Sequence, residues 1–369
     1  MSEQLKEFFS EIMDLSAPYS IEKIVRDQAS SNRVDIYLKI EQGFRPSKFD
    51  KLHSYKTRTW QHLDIMQYSC YVHCKIPIYY NTRKDRHELL EVPWARKGSG
   101  FTLLFERRVL DLLKLTGCKK TTADFFGLYP QRIECIYDAY TLAPYQSREI
   151  TGAKRIALDE TSTKKGHEYI SIFWDMDDDK LLDIREGKSS EVVSEYIEEL
   201  RITGQHPKET IKEIVCDMSP AFAKGIRENL PNAKVTFDRF HVVSLIHRYL
   251  DPLKKNKKIK WEILDYHIQE LDQLWIQKSE IKAASFLSYW MDRSIELFGL
   301  TKLVKSLSKH FHGIIAFCRT KLTNGKLEGL NNKVQWIKRV ARGYRSKENF
   351  MRMIYFIIGN LNTDYQTKS

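Results

Sequence analysis

The sequence predicts an α/β fold for the middle of the chain, and three observations support this prediction. Three consecutive segments have strand character: KRIALDE, HEYISIFWDM and KLLDIREG. An amphipathic helix with Ser189 or Ser190 as its cap follows them, SSEVVSEYIEELR. The rest of residues 151–245 alternates helices with two further strands, IKEIVCDMS and AKVTFDRF. A three-stranded meander followed by interleaved helices and strands is the order of the ribonuclease H-like α/β fold.

The flanking segments predict the other parts of the architecture. Residues 1–40 are expected to form a helical lead-in, because apolar residues recur there at helical spacing. Residues 41–100 contain short runs rich in Tyr, Val, Ile and Trp, which predict a small β-rich head. Residues 246–320 have no convincing strand pattern, so we expect an all-helical insertion. Two closing helices, LNNKVQWIKRVARGY and ENFMRMIYFII, assign residues 321–369 to the α/β domain of residues 151–245.

Residues 101–145 have the pattern of a helix-turn-helix. A helix over FTLLFERRVLDLLKL is followed by a short helical segment, TTADFFG, whose Gly127 makes a turn. Pro130 then opens the second helix at a position that helices accept. Helix, Gly-containing turn and second helix are typical of DNA-binding helix-turn-helix domains, with Gln131 and Arg132 facing outward as candidate DNA-binding residues. An ordinary packed helical hairpin is the alternative.

The composition is typical of a globular protein. Of the 369 residues, 42% are hydrophobic and 29% are charged, which excludes a wholly disordered chain. No apolar stretch approaches the roughly 20 residues needed to span a bilayer. The first segment, MSEQLKEFFSEIMDLS, lacks the basic and apolar regions of a signal peptide. We therefore expect a cytoplasmic protein whose six scattered cysteines are reduced packing residues.

The placement of charge is more informative than the net charge of +12. Residues 151–200 carry 7 basic and 13 acidic side chains, whereas residues 301–350 carry 12 basic and 2 acidic ones. A basic block beside an acidic block indicates a polyanion held by the first and metal ions held by the second. A lysine-rich solvated surface is the simpler alternative.

Two strand-end aspartates and one late glutamate are candidate metal ligands. Asp159 ends the first strand and Asp217 ends the strand IVCD, and these two ends lie side by side in a ribonuclease H-like sheet. Glu328, at a helix start in NGKLEGLNNK, would supply the third carboxylate. Oxygen donors of this kind suit Mg²⁺ and two-metal phosphoryl chemistry. Alternatively, Asp217 caps the helix that follows it.

Three sequence blocks resemble the catalytic blocks of the DDE transposases of bacterial insertion sequences: ALDETSTKKGHEY, IVCDMSPAFAKGIRENLPNAKVTFDRFHVV and GKLEGLNNKVQWIKRVARGYRSKENF. They are most similar to the ISL-three (ISL3) family. The resemblance implies that Asp159, Asp217 and Glu328 are the catalytic triad, with two Mg²⁺ or Mn²⁺ ions. It also implies that Asp238 and His241 form the accessory D-x-x-H motif; a buried pair bracing the sheet is the alternative.

The head departs from this family. Its members usually carry a zinc ribbon, which needs two Cys pairs to close a tetrahedral site. Cys70 and Cys74 are the one close pair in the chain, and their C-x3-C spacing has no matching second pair. We therefore expect residues 41–100 to form a degenerate, ribbon-like β-domain without structural zinc.

The helix after Glu328 is expected to bind DNA phosphates. Leu330, Val334 and Ile337 form an apolar stripe at helical spacing. Basic residues occupy the rest of the helix and the segment after it and would position DNA without reading its sequence. These candidate DNA-binding residues are Lys333, Lys338, Arg339, Arg342 and Arg345.

The sequence thus predicts a metal-dependent DDE transposase that binds double-stranded DNA. The resemblance implies that it recognises terminal inverted repeats, hydrolyses the phosphodiester at the 3′ ends and joins them to target DNA. It also implies a bacterial, nucleoid-associated protein. Because two ends must be processed together, a homodimer or larger assembly is expected. The alternatives are a catalytically silent, transposase-derived DNA-binding protein and a structure-specific nuclease without strand transfer.

Overall fold

A computed structural model of the chain describes residues 3–26, 32–163, 168–255, 259–320, 325–359, 361 and 363, with the side chains of residues 325–328 excepted. The described residues form two compact units, one within Met1–Tyr140 together with Thr363 and one within Thr141–Asn362. The protein is a mixed α/β protein, with a β-rich N-terminal part and a mainly helical C-terminal part. No helix among the described residues is long and apolar enough to cross a membrane.

The first unit contains a five-stranded sheet with the order β1-β2-β4-β3, and β5 pairs with β4. Its core is apolar and includes Trp60 and Trp94, together with the thiols of Cys70 and Cys74. Burial raises the pKa of both thiols to about 12. The elements are α1 (Glu3–Ile12), β1 (Tyr19–Arg26), β2 (Arg33–Ile40), β3 (Asp50–Ile65), β4 (Tyr68–Asn81) and β5 (Arg86–Leu89).

The helical lead-in predicted for residues 1–40 is wrong after α1. Residues 19–26 and 33–40 are strands that pair with each other antiparallel, and β2 also pairs parallel with β4. The β2 segment RVDIYLKI alternates apolar and polar residues, so Val34, Ile36, Leu38 and Ile40 share the face that packs on the core. The β-rich head therefore begins before residue 41.

Three helices complete the first unit as a helix-turn-helix: α2 (Leu103–Thr116), α3 (Lys119–Phe126) and α4 (Pro130–Gln146), the last of which continues into the second unit. The Thr102 hydroxyl accepts the N–H of Phe105 and caps α2. Gly127 adopts a left-handed conformation (φ 62°), which makes the predicted turn after α3. Ile133 and Ile136 of α4 are fully buried, whereas Gln131 and Arg132 are exposed.

The second unit is built on a five-stranded sheet with the order β10-β9-β6-β7-β8. β6, β7 and β8 form an antiparallel meander, and β9 and β10 add to it in parallel. These predicted strands and the helices that follow them are confirmed. They are β6 (Arg155–Ser162), β7 (Tyr169–Asp175), β8 (Lys180–Glu186), α5 (Ser190–Ile202), α6 (Pro207–Thr210), β9 (Glu213–Cys216), α7 (Pro220–Asn229) and β10 (Lys234–Phe237).

The rest of the second unit is helical wherever it is described. Trp275 and Trp290 are buried in its core, while Trp261 is half exposed. The core of these helices is continuous with that of the sheet. The elements are α8 (Arg239–Leu250), a 3₁₀ helix (Asp251–Lys255), α9 (Trp261–Glu270), α10 (Asp272–Ile276), α11 (Glu280–Phe298), α12 (Thr301–Lys309), α13 (Phe311–Thr320), α14 (Gly325–Val340) and α15 (Lys347–Ile357).

Candidate active site

The register of the central strands sets Asp159 and Asp217 beside each other. β6 and β9 are parallel, and Leu158 pairs with Cys216 at the end of the shared ladder. Asp159 is the next residue of β6, which continues to Ser162 and does not end at this aspartate as predicted. Asp217 directly follows β9, so the two aspartates lie side by side in the sequence of the paired strands. Carboxyl ends of parallel strands are where open α/β sheets bind ligands.

Asp159 is a buried carboxylate, with 7% of the residue exposed. One oxygen accepts the N–H of Glu160 at 2.8 Å and the other accepts the Asn331 amide of α14. Burial raises the pKa of the Asp159 carboxyl and the Asp217 charge raises it further, whereas the two hydrogen bonds oppose this rise. A cation close to a buried carboxylate favours its ionised form.

Asp217 also has a local structural partner. Its Oδ1 accepts the N–H of Ser219 at 2.9 Å, and Ser219 directly precedes α7. This hydrogen bond closes a turn ahead of α7 and does not cap the helix, because the N–H of Ser219 precedes the first helical residue, Pro220. The hydrogen bond uses Oδ1, and Oδ2 accepts no hydrogen bond from the described residues.

Asp238 and His241 lie at the start of α8. Asp238 caps this helix by accepting the N–H of Phe240, and His241 Nε2 lies 3.8 Å from Asp238 Oδ2. Asp238 is buried, whereas more than a third of the His241 side chain is exposed. Both residues line one cleft together with Asp159, so the D-x-x-H pair lies at the same edge of the sheet as this aspartate.

Glu328 lies in the first turn of α14, and its side chain is outside the described residues. No group of three or more His, Cys, Asp or Glu among the described side chains is arranged to hold a metal ion. The donors that are described fit a hard cation nevertheless. Asn331 Oδ1 is buried without a hydrogen-bond partner among the described residues, next to the carboxylate that its own amide nitrogen contacts. An orphaned oxygen beside paired carboxylates is the kind of donor that Mg²⁺ takes.

Two adjoining clefts open around these residues, and both are lined by Glu160 and His241. The apolar-walled cleft, of about 810 Å³, also contains Asp159 and Asp238. The polar cleft, of about 590 Å³, contains Asp217. It also contains three groups suited to phosphates, Lys188, Arg248 and His310.

Glu160 lies next to Asp159 on β6, where the regular pairing with β7 turns neighbouring side chains to opposite faces. It lines both clefts, and its Oε1 lies 3.5 Å from Lys188 Nζ. Burial raises the pKa of Glu160, as do the charges of Asp217 and Asp159, while Lys188 lowers it. The β6–β9 ladder ends at Leu158 and Cys216, so no residue of β9 pairs with Glu160.

The basic residues of α14 divide into two groups. Leu330, Val334 and Ile337 form the buried stripe, as predicted. Lys338 is engaged within the protein, because its Nζ donates to the carbonyl of Ser162 at 2.8 Å. The exposed cations are Lys333, Arg339, Arg342 and Arg345, of which the last three line a concave surface together with Lys338.

Several residues at the clefts have no signal in the sequence alone. Phe240 lies between the two D-x-x-H residues and is 67% exposed. Lys188 follows β8 and reaches Glu160 because the meander folds back on itself. Asn331, by contrast, does have a signal in the sequence. It follows Glu328 by three residues, so the two occupy neighbouring positions on one helix.

The chain matches two family models. The first, described as a transposase of the ISL3 DDE type, matches residues 156–265 and 266–354. The second, described as the helix-turn-helix domain of transposase family ISL3, matches residues 90–141. The first covers the sheet and helices that carry Asp159, Asp217 and Glu328, and the second covers the helix-turn-helix.

Individual relatives agree with the family models. The chain is 22% identical to the transposase for insertion sequence element IS1001 of Bordetella parapertussis, over 91% of this chain and 94% of that protein. It is 26% identical to the transposase for IS1557 in two strains of Mycobacterium tuberculosis, over 53% of this chain and 43% of that protein.

A solved chain of the simian T-cell lymphotropic virus intasome in complex with PP2A regulatory subunit B56 gamma aligns with 42% of this chain and 65% of that chain. The identity is 12% and the TM-score is 0.18, so the comparison has no bearing on the fold. The family models, by contrast, extend over more than half of the sequence and follow its domain order. The chain therefore belongs to the ISL3 family of insertion-sequence transposases.

Proposed function

We propose that this transposase cleaves and joins DNA with a ribonuclease H-like core, formed by residues 151–245 and 321–369 and interrupted by a helical insertion of residues 246–320. The strand order β10-β9-β6-β7-β8, with its antiparallel meander and two added parallel strands, supports this assignment. Residues 101–145 would be the helix-turn-helix DNA-binding domain, and the head before it the degenerate ribbon.

The proposed reaction uses Asp159, Asp217 and Glu328 as ligands for two divalent ions. When bound, these ions would supply activation of water or a 3′-hydroxyl and stabilisation of the leaving oxygen. The chain's own groups hold the rest of the site in place. Asn331 fixes the orientation of the Asp159 carboxylate through its amide N–H, and the Asp238 cap fixes the start of the helix that carries His241.

Positive charge at the polar cleft would hold the DNA backbone next to the carboxylates. Lys188 and Arg248 line this cleft with Asp217. The exposed cations of the α14 segment would contact phosphates further along the duplex. Gln131 and Arg132, exposed on α4, would read the terminal inverted repeat in the major groove. A homodimer or larger assembly would process both ends.

The observation that carries the proposal is the paired, buried position of Asp159 beside Asp217, which raises the pKa of Asp159. The test is Mn²⁺-dependent cleavage and joining on a duplex carrying the element's own ends, with a target plasmid. Wild type is compared with Asp217→Asn, which keeps the shape of the side chain. Asp178→Asn, in the exposed turn between β7 and β8, is the matched control.

The proposal predicts cleavage and joining by wild type and by Asp178→Asn, and binding without either by Asp217→Asn. Binding without cleavage by wild type would instead identify a transposase-derived DNA-binding protein. Cleavage without joined products would identify a nuclease that lacks strand transfer. Cleavage that persists in Asp217→Asn would show that the metal ligands are other residues.

A further inference from the structure

Phe240 is an aromatic side chain exposed at the candidate active site. It lies on the first turn of α8 between Asp238 and His241, and 67% of it is exposed. Its backbone N–H donates to Asp238 Oδ1 at 3.1 Å, so the capping interaction fixes the position from which the ring projects. The ring meets the His241 ring edge-on, with 5.7 Å between the centroids, and it lines the cleft that contains Asp159.

The wall beside Phe240 is apolar, although the opposite wall carries carboxylates. Val243 and Ile246 continue the same face of α8, and Ile268 and Leu271 from the end of α9 close the other side. Asp159, Glu160 and Asp238 line the same cleft. A site for the phosphodiester backbone alone needs cations and amides, and an apolar wall contributes nothing to it.

The rim of the apolar-walled cleft adds amide groups to this arrangement. Asn332 and Gln269 are exposed there, one on α14 and one on α9. Asparagine and glutamine amides match the hydrogen-bonding edge of a base. The volume of about 810 Å³ lies within the range of about 300–1,000 Å³ typical of small-ligand sites. An aromatic ring, an apolar wall and rim amides together fit a single nucleobase.

We propose that the apolar-walled cleft receives one unpaired base of the DNA end, which stacks on Phe240 while the adjoining phosphate lies at Asp159 and Asp217. This inference rests on the proposed function and adds a base-binding site to it. The unpaired state of the base follows from the geometry, since a ring on the cleft wall cannot reach the face of a base inside a duplex. The base leaves the duplex at a cost that stacking on Phe240 offsets.

The proposal is tested by a double-mutant cycle between Phe240 and the base. Cleavage rates are measured on the intact end duplex and on duplexes with one abasic nucleotide at each of the positions within three of the cleaved bond. The proteins are wild type, Phe240→Ala, Phe240→Trp and Ile202→Ala. Ile202, at the end of α5, is a similarly exposed apolar residue outside both clefts. Coincident circular dichroism melting curves verify folding.

The expected result is a rate about tenfold lower for Phe240→Ala on intact DNA, with Phe240→Trp and Ile202→Ala close to wild type. At one abasic position the ratio of wild type to Phe240→Ala should fall to about one, because neither protein has a base to stack. A ratio that stays near ten at every abasic position would overturn the proposal, as would an unchanged rate for Phe240→Ala on intact DNA.

The two proposals fail in different ways. The same cycle is measured on dissociation constants, so that it does not depend on cleavage. If no protein cleaves, but the effect of Phe240→Ala on the dissociation constant disappears at one abasic position, the proposed catalytic function fails and the base site stands. If wild type cleaves, but Phe240→Ala has the same effect on intact and abasic DNA in both rate and binding, the base site fails and the catalytic function stands.

Discussion

Gly313 of α13 is packed against the strand that leads into the candidate active site. A Cβ at this position would come within 2.5 Å of Phe237 Cε2 and nearer still to Cδ2. Phe237 is the last residue of β10, pairs with Cys216 of β9 and directly precedes Asp238. The substitution Gly313→Ala therefore pushes on the strand ends that carry Asp217 and Asp238.

The change in unfolding free energy is the difference between the cost of overpacking and the gain in helix propensity. Ordinary van der Waals contact begins at 3.4 Å, so the Phe237 ring or α13 must move by about 0.9 Å, judged from the Cε2 distance. The ring is buried and packs edge-on against His310 at 5.1 Å, and overpacking of this kind costs about 1–3 kcal/mol. Alanine recovers about 1 kcal/mol of helix propensity over glycine. The net loss of unfolding free energy should be about 1 kcal/mol.

The effect on cleavage should exceed the effect on stability. A displacement of about 1 Å at reacting groups can lower a rate by about 100-fold, and part of the shift of Phe237 is taken up before it reaches Asp238. We expect a 10- to 100-fold lower cleavage rate. The assays are urea denaturation and single-turnover cleavage of the end duplex.

Two further variants isolate the clash. Gly329→Ala, on the exposed face of α14, meets no described atom within 4 Å and should raise the unfolding free energy by up to about 1 kcal/mol. Phe237→Leu combined with Gly313→Ala should recover part of the stability, which a double-mutant cycle measures. Unchanged or increased stability of Gly313→Ala would refute this prediction, because the Phe237 ring would then move aside without loss of unfolding free energy.

Other predictions concern the core and the basic surface. Burial, with a smaller contribution from Arg293, lowers the pKa of His267 to about 4. Below pH about 6.5 this histidine binds a proton in the unfolded chain, whereas in the folded protein it stays neutral down to pH about 4. The unfolding free energy should therefore fall by roughly 3 kcal/mol between pH 6.5 and 4, as measured by urea denaturation. Tyr355→Phe removes the hydroxyl that donates to the buried Asp183 at 2.9 Å and should cost about 1–3 kcal/mol by the same assay. Replacing Arg339 and Arg342 with Ala should reduce the slope of log binding constant against log salt by about 2, as measured by fluorescence anisotropy on duplex DNA.

Each of these predictions has a matched control. The fall in stability below pH 6.5 should be smaller in His267→Gln and unchanged in a variant of His247, whose side chain is partly exposed. Tyr129, which is 79% exposed, should tolerate Phe within about 0.5 kcal/mol. Alanine at Arg201 and Lys208, on the α5–α6 side of the second unit, should leave the salt slope as it is. The opposite outcome in any control would show that the effect of the matching variant does not come from the contact or charge named for it.

The sequence predicts most of the second unit correctly because its elements carry strong periodic signals. The strands that lead to Asp159 and Asp217 are apolar runs, although β6 continues past Asp159 to Ser162, and Ser189 precedes α5 as expected. The turn and helix start of the helix-turn-helix were also predicted from Gly127 and Pro130, although a packed helical hairpin stayed open as the alternative. These strands, turns and helix starts depend on residues close together in the sequence, so local conformational preference is enough to predict them.

The N-terminal strands show where a local signal misleads. The segment YSIEKIVR fits both a helical and a strand pattern, and the pairing of β1 with β2 makes it a strand. A bulge between Ile21 and Lys23 keeps the apolar residues on the core face despite the irregular alternation. The periodicity of apolar residues cannot distinguish a helix from a strand when a segment of eight residues fits both patterns.

The sequence by itself indicated the family resemblance, the helix-turn-helix pattern and the two candidate aspartates, because these depend on residue types and their order along the chain. Only the tertiary structure decided that Lys338 donates to Ser162, that Glu160 lines both clefts and that Phe240 stands exposed beside Asp238. These properties depend on which residues from distant parts of the chain meet at one edge of the sheet. Strand register and helix packing set those meetings, and no single segment contains the information that fixes them.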